Sequence, residues 1–217
     1  MAGNGILISF EGSEGCGKST QIRRLAAFLQ TLGREVLILR EPGGTPIGET
    51  IRHLLKHDKN AAAMTPEAEL LLFAASRAQL VREVIRPALE KGIVVLCDRF
   101  LDSTTVYQGV ARALDSSDVA AINSFAVGEL LPDLTLLLDL DAEEGRRRAA
   151  SRGEPVDRME QEDAGFYEAV RRGYLDLARE YPGRITLIDA SLDEEGVAAL
   201  ISNKVSLRLE GQAHGVI

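Results

Sequence analysis

The sequence predicts an α/β fold in which a five-stranded parallel sheet lies between two layers of helices. Three observations lead to this prediction. Strand-like apolar segments alternate with helical segments, two of these strands are almost continuously apolar, and a glycine-rich loop joins the first strand to the first helix. Strands that helices cover on both faces have such uninterrupted apolar runs, which favours a parallel sheet.

The elements follow one another along the chain with no linker rich in proline or serine. The predicted strands cover residues 5–11, 35–39, 93–97, 134–138 and 185–188. The predicted helices cover residues 20–32, 47–55, 66–89, 117–130, 143–151, 161–181 and 194–206. Thr65 is expected to cap the long third helix, with Pro66 at its first position, and Pro87 to end or kink it. Residues 1–210 are therefore expected to form one domain, followed by a loose tail over residues 211–217.

Composition excludes several classes of partner. The chain has 217 residues, of which 45% are hydrophobic, and a formal net charge of −8. Nonspecific nucleic-acid binding depends on lysines and arginines that neutralise phosphates, so no nucleic acid is expected as a partner. No apolar run approaches the roughly 18 residues of a membrane span, and no membrane is expected as a partner. Cys16 and Cys97 make no disulfide framework and suit the reducing cytoplasm.

The most specific motif is G-x-x-x-x-G-K-[ST], which lies between the first predicted strand and the first helix. Backbone N–H groups of such a loop point at a phosphate chain, and the following helix adds the positive end of its dipole. Lys18 would reach the outer phosphates, and the Ser19 hydroxyl would bind Mg²⁺. A chance glycine turn is the alternative, which the flanking strand and helix disfavour. The predicted ATP-binding residues are Gly12, Ser13, Glu14, Gly15, Cys16, Gly17, Lys18, Ser19 and Thr20.

A second group of candidates follows the third predicted strand. Ligands of open parallel sheets bind beyond the carboxyl ends of the strands, which places Asp98 and Arg99 near the phosphate loop. Asp98 could hold magnesium directly or through water, and Arg99 could bind a phosphate through two N–H groups. An ordinary ion pair between the two at the surface is the alternative.

Pairs at helical spacing suggest a site for a base. Phe73 and Arg77 lie one turn apart, so they share a helix face on which a ring and a guanidinium could hold a nucleobase. Their spacing alone favours the alternative that Phe73 belongs to the core and Arg77 is solvated. Thr104 and Gln108 have the same spacing, and a helical turn there would put polar groups over the cleft.

Arginines are concentrated in residues 146–158, on both sides of Gly153 and Pro155. Most of them are expected to lie on a solvated, charged helix. Because glycine and proline break that helix, Arg152 and Arg158 are expected in a loop. A basic loop that closes over a transferring phosphate is a recurring device.

These motifs together resemble the thymidylate kinase family over nearly the whole chain. The similar segments are the phosphate loop at residues 10–20, Arg40-Glu41-Pro42-Gly43-Gly44-Thr45-Pro46, Asp98-Arg99 with Ser103-Thr104 and Tyr107-Gln108-Gly109, residues 132–139, and residues 152–160. The resemblance implies a three-layer P-loop nucleoside monophosphate kinase fold with a mobile lid at about residues 146–160. It implies a cytoplasmic homodimer that uses MgATP to convert dTMP to dTDP in dTTP biosynthesis.

The resemblance also implies a role for each residue that matches the family's dTMP site. Glu14 would hold the 3′-hydroxyl, and Arg99 would clamp the acceptor phosphate. Phe73 would stack on thymine, Arg77 would donate to its O4 atom, and Tyr107 would disfavour a ribose 2′-hydroxyl. The remaining matches are Thr104 and Gln108 around the base and Pro42, a proline near the base that is often cis in the family.

One departure distinguishes two catalytic designs within the family. Gly15 occupies the position at which one design has an arginine, so the resemblance implies the bacterial branch that uses lid arginines. Lys18, Arg99 and Arg152 are then the catalytic residues, with Arg158 as the other available lid arginine. The lid is one residue longer than in some relatives, which leaves the individual lid roles open.

Two other functions compete with this one. Another nucleoside monophosphate kinase or a deoxynucleoside kinase would share the donor site. A nucleoside acceptor would need a carboxylate base, for which Glu11 or Glu14 could be imagined. A P-loop ATPase switch would hydrolyse ATP without an acceptor, and the arginines and base-site residues argue against it.

Overall fold

The computed structural model describes residues 5–151, residue 158 and residues 162–214, and it describes the backbone only for residue 60 and residues 211–214. No helix in this part of the chain combines the length and the apolar character needed to cross a membrane.

Five parallel strands form a single sheet in the order β2-β3-β1-β4-β5, which confirms the predicted architecture. They are β1 Ile6–Glu11, β2 Val36–Arg40, β3 Val94–Asp98, β4 Leu134–Asp139 and β5 Ile185–Asp189. The β1–β3 register pairs Phe10 with Asp98. Since both strands run the same way, the loop after β1 and the Asp98-Arg99 pair meet at one edge of the sheet.

The helices cover both faces of this sheet. They are α1 Lys18–Thr31, α2 Pro46–Lys56, α3 Pro66–Leu80, α4 Arg86–Glu90, α5 Leu101–Thr104, α6 Ser116–Val127, α7 Ala142–Ala150, α8 Ala164–Glu180 and α9 Glu194–His214. A 3₁₀ turn covers Lys59–Ala63, and π-helical segments cover Val81–Ile85 and Thr105–Ala111.

Two details of these helices bear on the predictions. Thr65 caps α3 by accepting a hydrogen bond from the Ala68 N–H, as predicted. The helix does not end at Pro87, because the π-helical turn Val81–Ile85 comes just before it and α4 continues to Glu90. In a π-helical turn the backbone hydrogen bonds span five residues instead of four, so the helix can continue past a proline, which has no N–H to donate. At the other end of the chain, α9 passes its predicted end at residue 206 and includes residues 211–214 of the expected tail.

Alternating side chains of β1 divide the core into two layers. Ile6, Ile8 and Phe10 pack in the apolar cluster that α1 and α9 complete. Leu7 faces the other way, into the cluster that the long helix covers. A third cluster forms where Tyr107 of the π-helical segment packs with residues of α8. Apolar packing therefore supports both faces of the sheet and the helical segment that follows β3.

Candidate active site

The phosphate loop occupies residues 12–17, between β1 and α1. In this structure the Lys18 ammonium is nearly buried and donates hydrogen bonds to the carbonyl oxygens of Gly12 at 3.1 Å and Ser13 at 2.8 Å. The Ser19 hydroxyl donates to Asp98 Oδ2 at 2.9 Å. A hydroxyl and a carboxylate oxygen side by side are the ligands that Mg²⁺ prefers, so these residues fit the predicted metal site.

The backbone around Gly15 leaves no room for an arginine at this position of the phosphate loop. The φ of Gly15 is +75°, in the left-handed region that favours glycine. A Cβ atom there would lie 2.0 Å from the carbonyl oxygen of Gly145 on α7. A Cβ atom on Gly145 would in turn lie 2.6 Å from the carbonyl oxygen of Glu14. Both glycines are needed for α7 to pack against the loop, and positive charge must come from other segments.

Arg99 lies at the centre of a cage of four polar side chains. Its Nη2 group donates to Glu14 Oε1 at 2.6 Å and to the Tyr107 hydroxyl at 3.1 Å. Its Nη1 group donates to the Ser103 hydroxyl at 3.1 Å and to the Tyr174 hydroxyl at 3.2 Å. Asp98 and Arg99 therefore have different partners, unlike the surface ion pair of the alternative interpretation.

Charge in this cage is strongly organised. Burial by itself would raise the pKa of Glu14, but the positive charges of Arg99 and Lys18 outweigh it and lower the pKa to about 2. The charge of Lys56 acts in the same direction. Glu14 is therefore ionised at neutral pH, and it can accept a hydrogen bond from an alcohol.

A cleft opens beside Arg99 and joins most of the residues predicted to bind dTMP. Its lining residues are Glu14, Glu41, Pro42, Lys56, Phe73, Arg99, Ser103, Thr104, Tyr107 and Gln108. Phe73 is half-buried in this wall instead of being a core residue. The Glu41–Pro42 peptide bond is cis, which confirms that expectation.

Arg77 is not among the residues that line the cleft, and it is only 1% exposed. The alternative of a solvated Arg77 is therefore wrong. Its guanidinium donates to Glu41 Oε2 at 2.7 Å, Thr104 Oγ1 at 2.9 Å, Asn123 Oδ1 at 2.9 Å and the Phe100 carbonyl oxygen at 3.2 Å. Arg77 thus holds Glu41 and Thr104 of the cleft wall from the side that faces away from the cleft. A direct contact with a base would require Arg77 to give up one of these hydrogen bonds.

Glu69, one helical turn before Phe73, links the cleft to the arginine-rich segment. This buried carboxylate accepts a hydrogen bond from Gln108 Nε2 at 2.8 Å and forms an ion pair with Arg158. Arg158 also donates to the Leu55 carbonyl oxygen at 3.0 Å. Of the two arginines predicted for the lid, Arg158 lies beside the cleft, whereas Arg152 lies outside the described residues.

Sequence reasoning missed several of these residues. Glu69 could have been found from its spacing of four residues to Phe73, which puts both on one face of α3. Lys56 lies at the end of α2 with no motif around it. Tyr174 has no local signal either, because it enters the site from α8, far along the chain from Arg99.

Comparison with known proteins supports one family. The family model described as thymidylate kinase matches residues 10–201. A thymidylate kinase of Syntrophotalea carbinolica is 51% identical over 213 residues, which cover 95% of this chain and 98% of that protein. One of Deinococcus radiodurans is 48% identical over 204 residues, covering 94% and 98%. The crystal structure of thymidylate kinase from Ehrlichia chaffeensis superimposes with a TM-score of 0.75 at 32% identity, covering 94% of this chain and 99% of that one.

Proposed function

Since the chain belongs to the thymidylate kinase family and phosphorylates dTMP to dTDP with ATP, we propose that the phosphate loop holds ATP and the adjoining cleft holds dTMP. The observation that carries this assignment is the cage around Arg99, which lies between the loop and the cleft. It provides a cationic group where the acceptor phosphate must meet the donor.

Within the cleft, the polar side chains suit the parts of a thymine nucleotide. Phe73 offers a ring for stacking on the base. Thr104 and Gln108 offer polar groups to the base edge, and Arg77 reaches it by exchanging a bond or acts through Thr104. The ionised Glu14 accepts a hydrogen bond from the 3′-hydroxyl. The remaining members of the proposed site are Pro42 against the base and Tyr107 near the 2′ position.

Catalysis by these residues needs no general base. The second pKa of a phosphate monoester is about 6, so the acceptor is mostly a dianion at neutral pH. The remaining requirement is to position two polyanions and to cancel their repulsion. Lys18 binds the outer donor phosphates, Arg99 binds the acceptor phosphate, and Arg152 supplies charge from the lid. Ser19 and Asp98 would hold Mg²⁺, which neutralises phosphate charge when it is bound.

The location and assembly of the protein are also proposals. The described cysteines, Cys16 and Cys97, are free and buried, which suits a reducing cytoplasm. Leu71 on α3 is 56% exposed and Phe125 on α6 is 82% exposed, and these two helices contact each other. Exposed apolar side chains on two neighbouring helices support a homodimer. Size-exclusion chromatography with light scattering measures this state directly.

A panel of acceptors tests the proposed use of the cleft. ADP release is measured with MgATP and each of dTMP, dUMP, dCMP, dGMP and thymidine, and the product is identified by chromatography. We expect dTDP formation from dTMP and no comparable reaction with thymidine. Preference for thymidine would favour a deoxynucleoside kinase, and equal ADP release without any acceptor would favour an ATPase.

Replacing Arg99 by alanine is expected to raise the dTMP KM by about 10- to 100-fold, because that is the loss of affinity expected when hydrogen bonds to a charged group are removed. The ATP KM is expected to change little. Steady-state kinetics with each substrate varied in turn measures both constants. Arg179→Ala is the matched control, since Arg179 is exposed and pairs with Asp176 on α8. An unchanged dTMP KM in Arg99→Ala would contradict the clamp.

A further inference from the structure

Glu11 is a fully buried carboxylate at the end of β1, and the proposed reaction gives it no role. Its Oε1 atom accepts a hydrogen bond from the Phe100 N–H at 2.7 Å. Its Oε2 atom accepts from the Ser103 hydroxyl at 2.6 Å and from the Tyr174 hydroxyl at 2.8 Å. Glu11 is also not among the residues that line the cleft, which argues against it as the base of a nucleoside kinase.

The two hydroxyls that bond to Glu11 are the same two that accept from Arg99 Nη1. A hydroxyl has one hydrogen and two lone pairs. The Ser103 and Tyr174 oxygens also lie 2.8 Å apart. When both hydroxyls donate their hydrogens to an ionised carboxylate, neither donates to the other, and their lone pairs are left for the guanidinium. A glutamine whose oxygen accepts the Phe100 N–H presents an NH2 group with two hydrogens to these hydroxyls. The 2.8 Å contact between the Ser103 and Tyr174 hydroxyls can take up one displaced hydroxyl hydrogen, and the other turns toward Arg99.

We propose that Glu11 is a positioning residue for the acceptor-phosphate arginine, and that it acts by orienting the Ser103 and Tyr174 hydroxyls toward Arg99. The inference rests on the proposed clamp role of Arg99. Glu11 touches neither substrate, so its effect on dTMP is transmitted through these two hydroxyls.

Glu11 also restrains Arg99 through the backbone. Arg99 has a φ of 70°, in the left-handed region, which is costly for a residue other than glycine. Its own N–H bonds to the Phe10 carbonyl oxygen at 3.0 Å, and the next N–H, that of Phe100, bonds to Glu11. Two successive hydrogen bonds to the end of β1 therefore keep Arg99 in this conformation.

An ionised carboxylate buried at this position lowers the stability of the folded protein. Burial, and then the negative charge of Asp102, raise the pKa of Glu11 to about 7, although Arg99 and the hydrogen bonds from Ser103 and Tyr174 oppose the rise. Asp102 has its own partner in Arg184, with contacts of 2.6 and 2.8 Å. The titratable and charged groups that face Glu11 are Cys97, Arg99, Asp102, Tyr174 and Arg184. A group that costs stability when ionised is more readily explained by a role in the site than by a role in folding.

The test is Glu11→Gln, which keeps the shape and removes the charge. At pH 8, where Glu11 with its pKa of about 7 is mainly ionised, we expect the dTMP KM to rise about 10-fold and the ATP KM to change less than twofold. The folded-state pKa of Glu11, about 7, lies above the ordinary value of about 4.3, so ionisation of Glu11 costs stability. This cost is complete above about pH 7, shrinks as pH falls below 7 and is gone below about pH 4.3. The melting temperature of Glu11→Gln minus that of the wild type is therefore expected to be larger at pH 8 than at pH 6.

Asp133→Asn is the matched control, because Asp133 accepts the Leu7 N–H at 2.8 Å near the opposite end of β1. It is expected to leave both KM values unchanged. A Tyr174→Phe variant and the double variant with Glu11→Gln complete a cycle, in which the dTMP effects are expected to be less than additive because both changes act on one path.

Three results would overturn the inference. They are a dTMP KM within twofold of the wild type in Glu11→Gln, an equal rise in both KM values, and additive effects in the cycle. Arg99→Ala, measured alongside, separates the two hypotheses. If it leaves the dTMP KM unchanged, the clamp itself is wrong; if it raises that KM while Glu11→Gln does not, only the positioning role is wrong.

Discussion

Lys18→Ala is expected to reduce turnover by about 10³-fold or more, to the limit of detection in a coupled ADP-release assay. The ammonium is held at the phosphate loop by the Gly12 and Ser13 carbonyl oxygens, from which it can turn to the outer phosphates of ATP. A preorganised cationic donor in a site from which water is excluded is worth far more than the same charge in water. Without it, repulsion between the two nucleotides is no longer offset at the transferring group.

Lys91→Ala removes the same charge from an exposed position just before β3, at the other edge of the sheet from the loop. Its turnover should match the wild type. Melting temperatures of both variants show whether Lys18→Ala remains folded. Turnover within tenfold of the wild type in a folded Lys18→Ala protein would remove Lys18 from the catalytic residues.

Arg152→Ala is expected to lower kcat by about 10³-fold while both KM values change little, because an arginine that acts on charge in the transition state contributes on this scale. The prediction rests on the sequence, since Arg152 lies outside the described residues. It draws support from Gly15, where the close approach of Gly145 leaves no room for the arginine of the other catalytic design. Rapid-quench measurement of a single turnover would separate the chemical step from product release.

Two other arginines serve as comparisons for Arg152. Arg147 is exposed on α7 and pairs with Glu144 at 2.7 Å, so Arg147→Ala should leave kcat unchanged. Arg158 is held by Glu69 beside the cleft, and Arg158→Ala is expected to raise the dTMP KM more than it lowers kcat. A 10³-fold loss of kcat in Arg158→Ala, with none in Arg152→Ala, would reverse the two assignments.

The sequence was most informative where the structure depends on neighbours along the chain. The phosphate loop, the five strands and the Thr65 cap each follow from a short pattern. The helical segment over residues 101–111 was not among the predicted helices, since Ser103, Thr104 and Thr105 are weak helix formers. Burial of Val106 and Tyr107 in the cluster with α8 overrides that local preference.

Contacts between distant segments were beyond the reach of such patterns. Helical spacing places Phe73 and Arg77 on one face, but it cannot show that Asn123 and Glu41 turn the guanidinium away from the cleft. Glu11 and Tyr174 are 163 residues apart, and their contact depends on how α8 packs over the sheet. Motifs therefore identified most residues of the cleft, while the hydrogen bonds that orient those residues required the folded chain.

The pair of glycines at the phosphate loop has a consequence for interconverting the two catalytic designs by mutation. Grafting an arginine onto position 15 would push a side chain into the backbone of α7, and it would force that residue into a conformation that suits glycine. No compensating change at position 145 can relieve this, because the obstacle is a main-chain oxygen. Moving the arginine from lid to loop would require α7 to shift as a whole, so the two designs are separated by a change of packing and not by one codon.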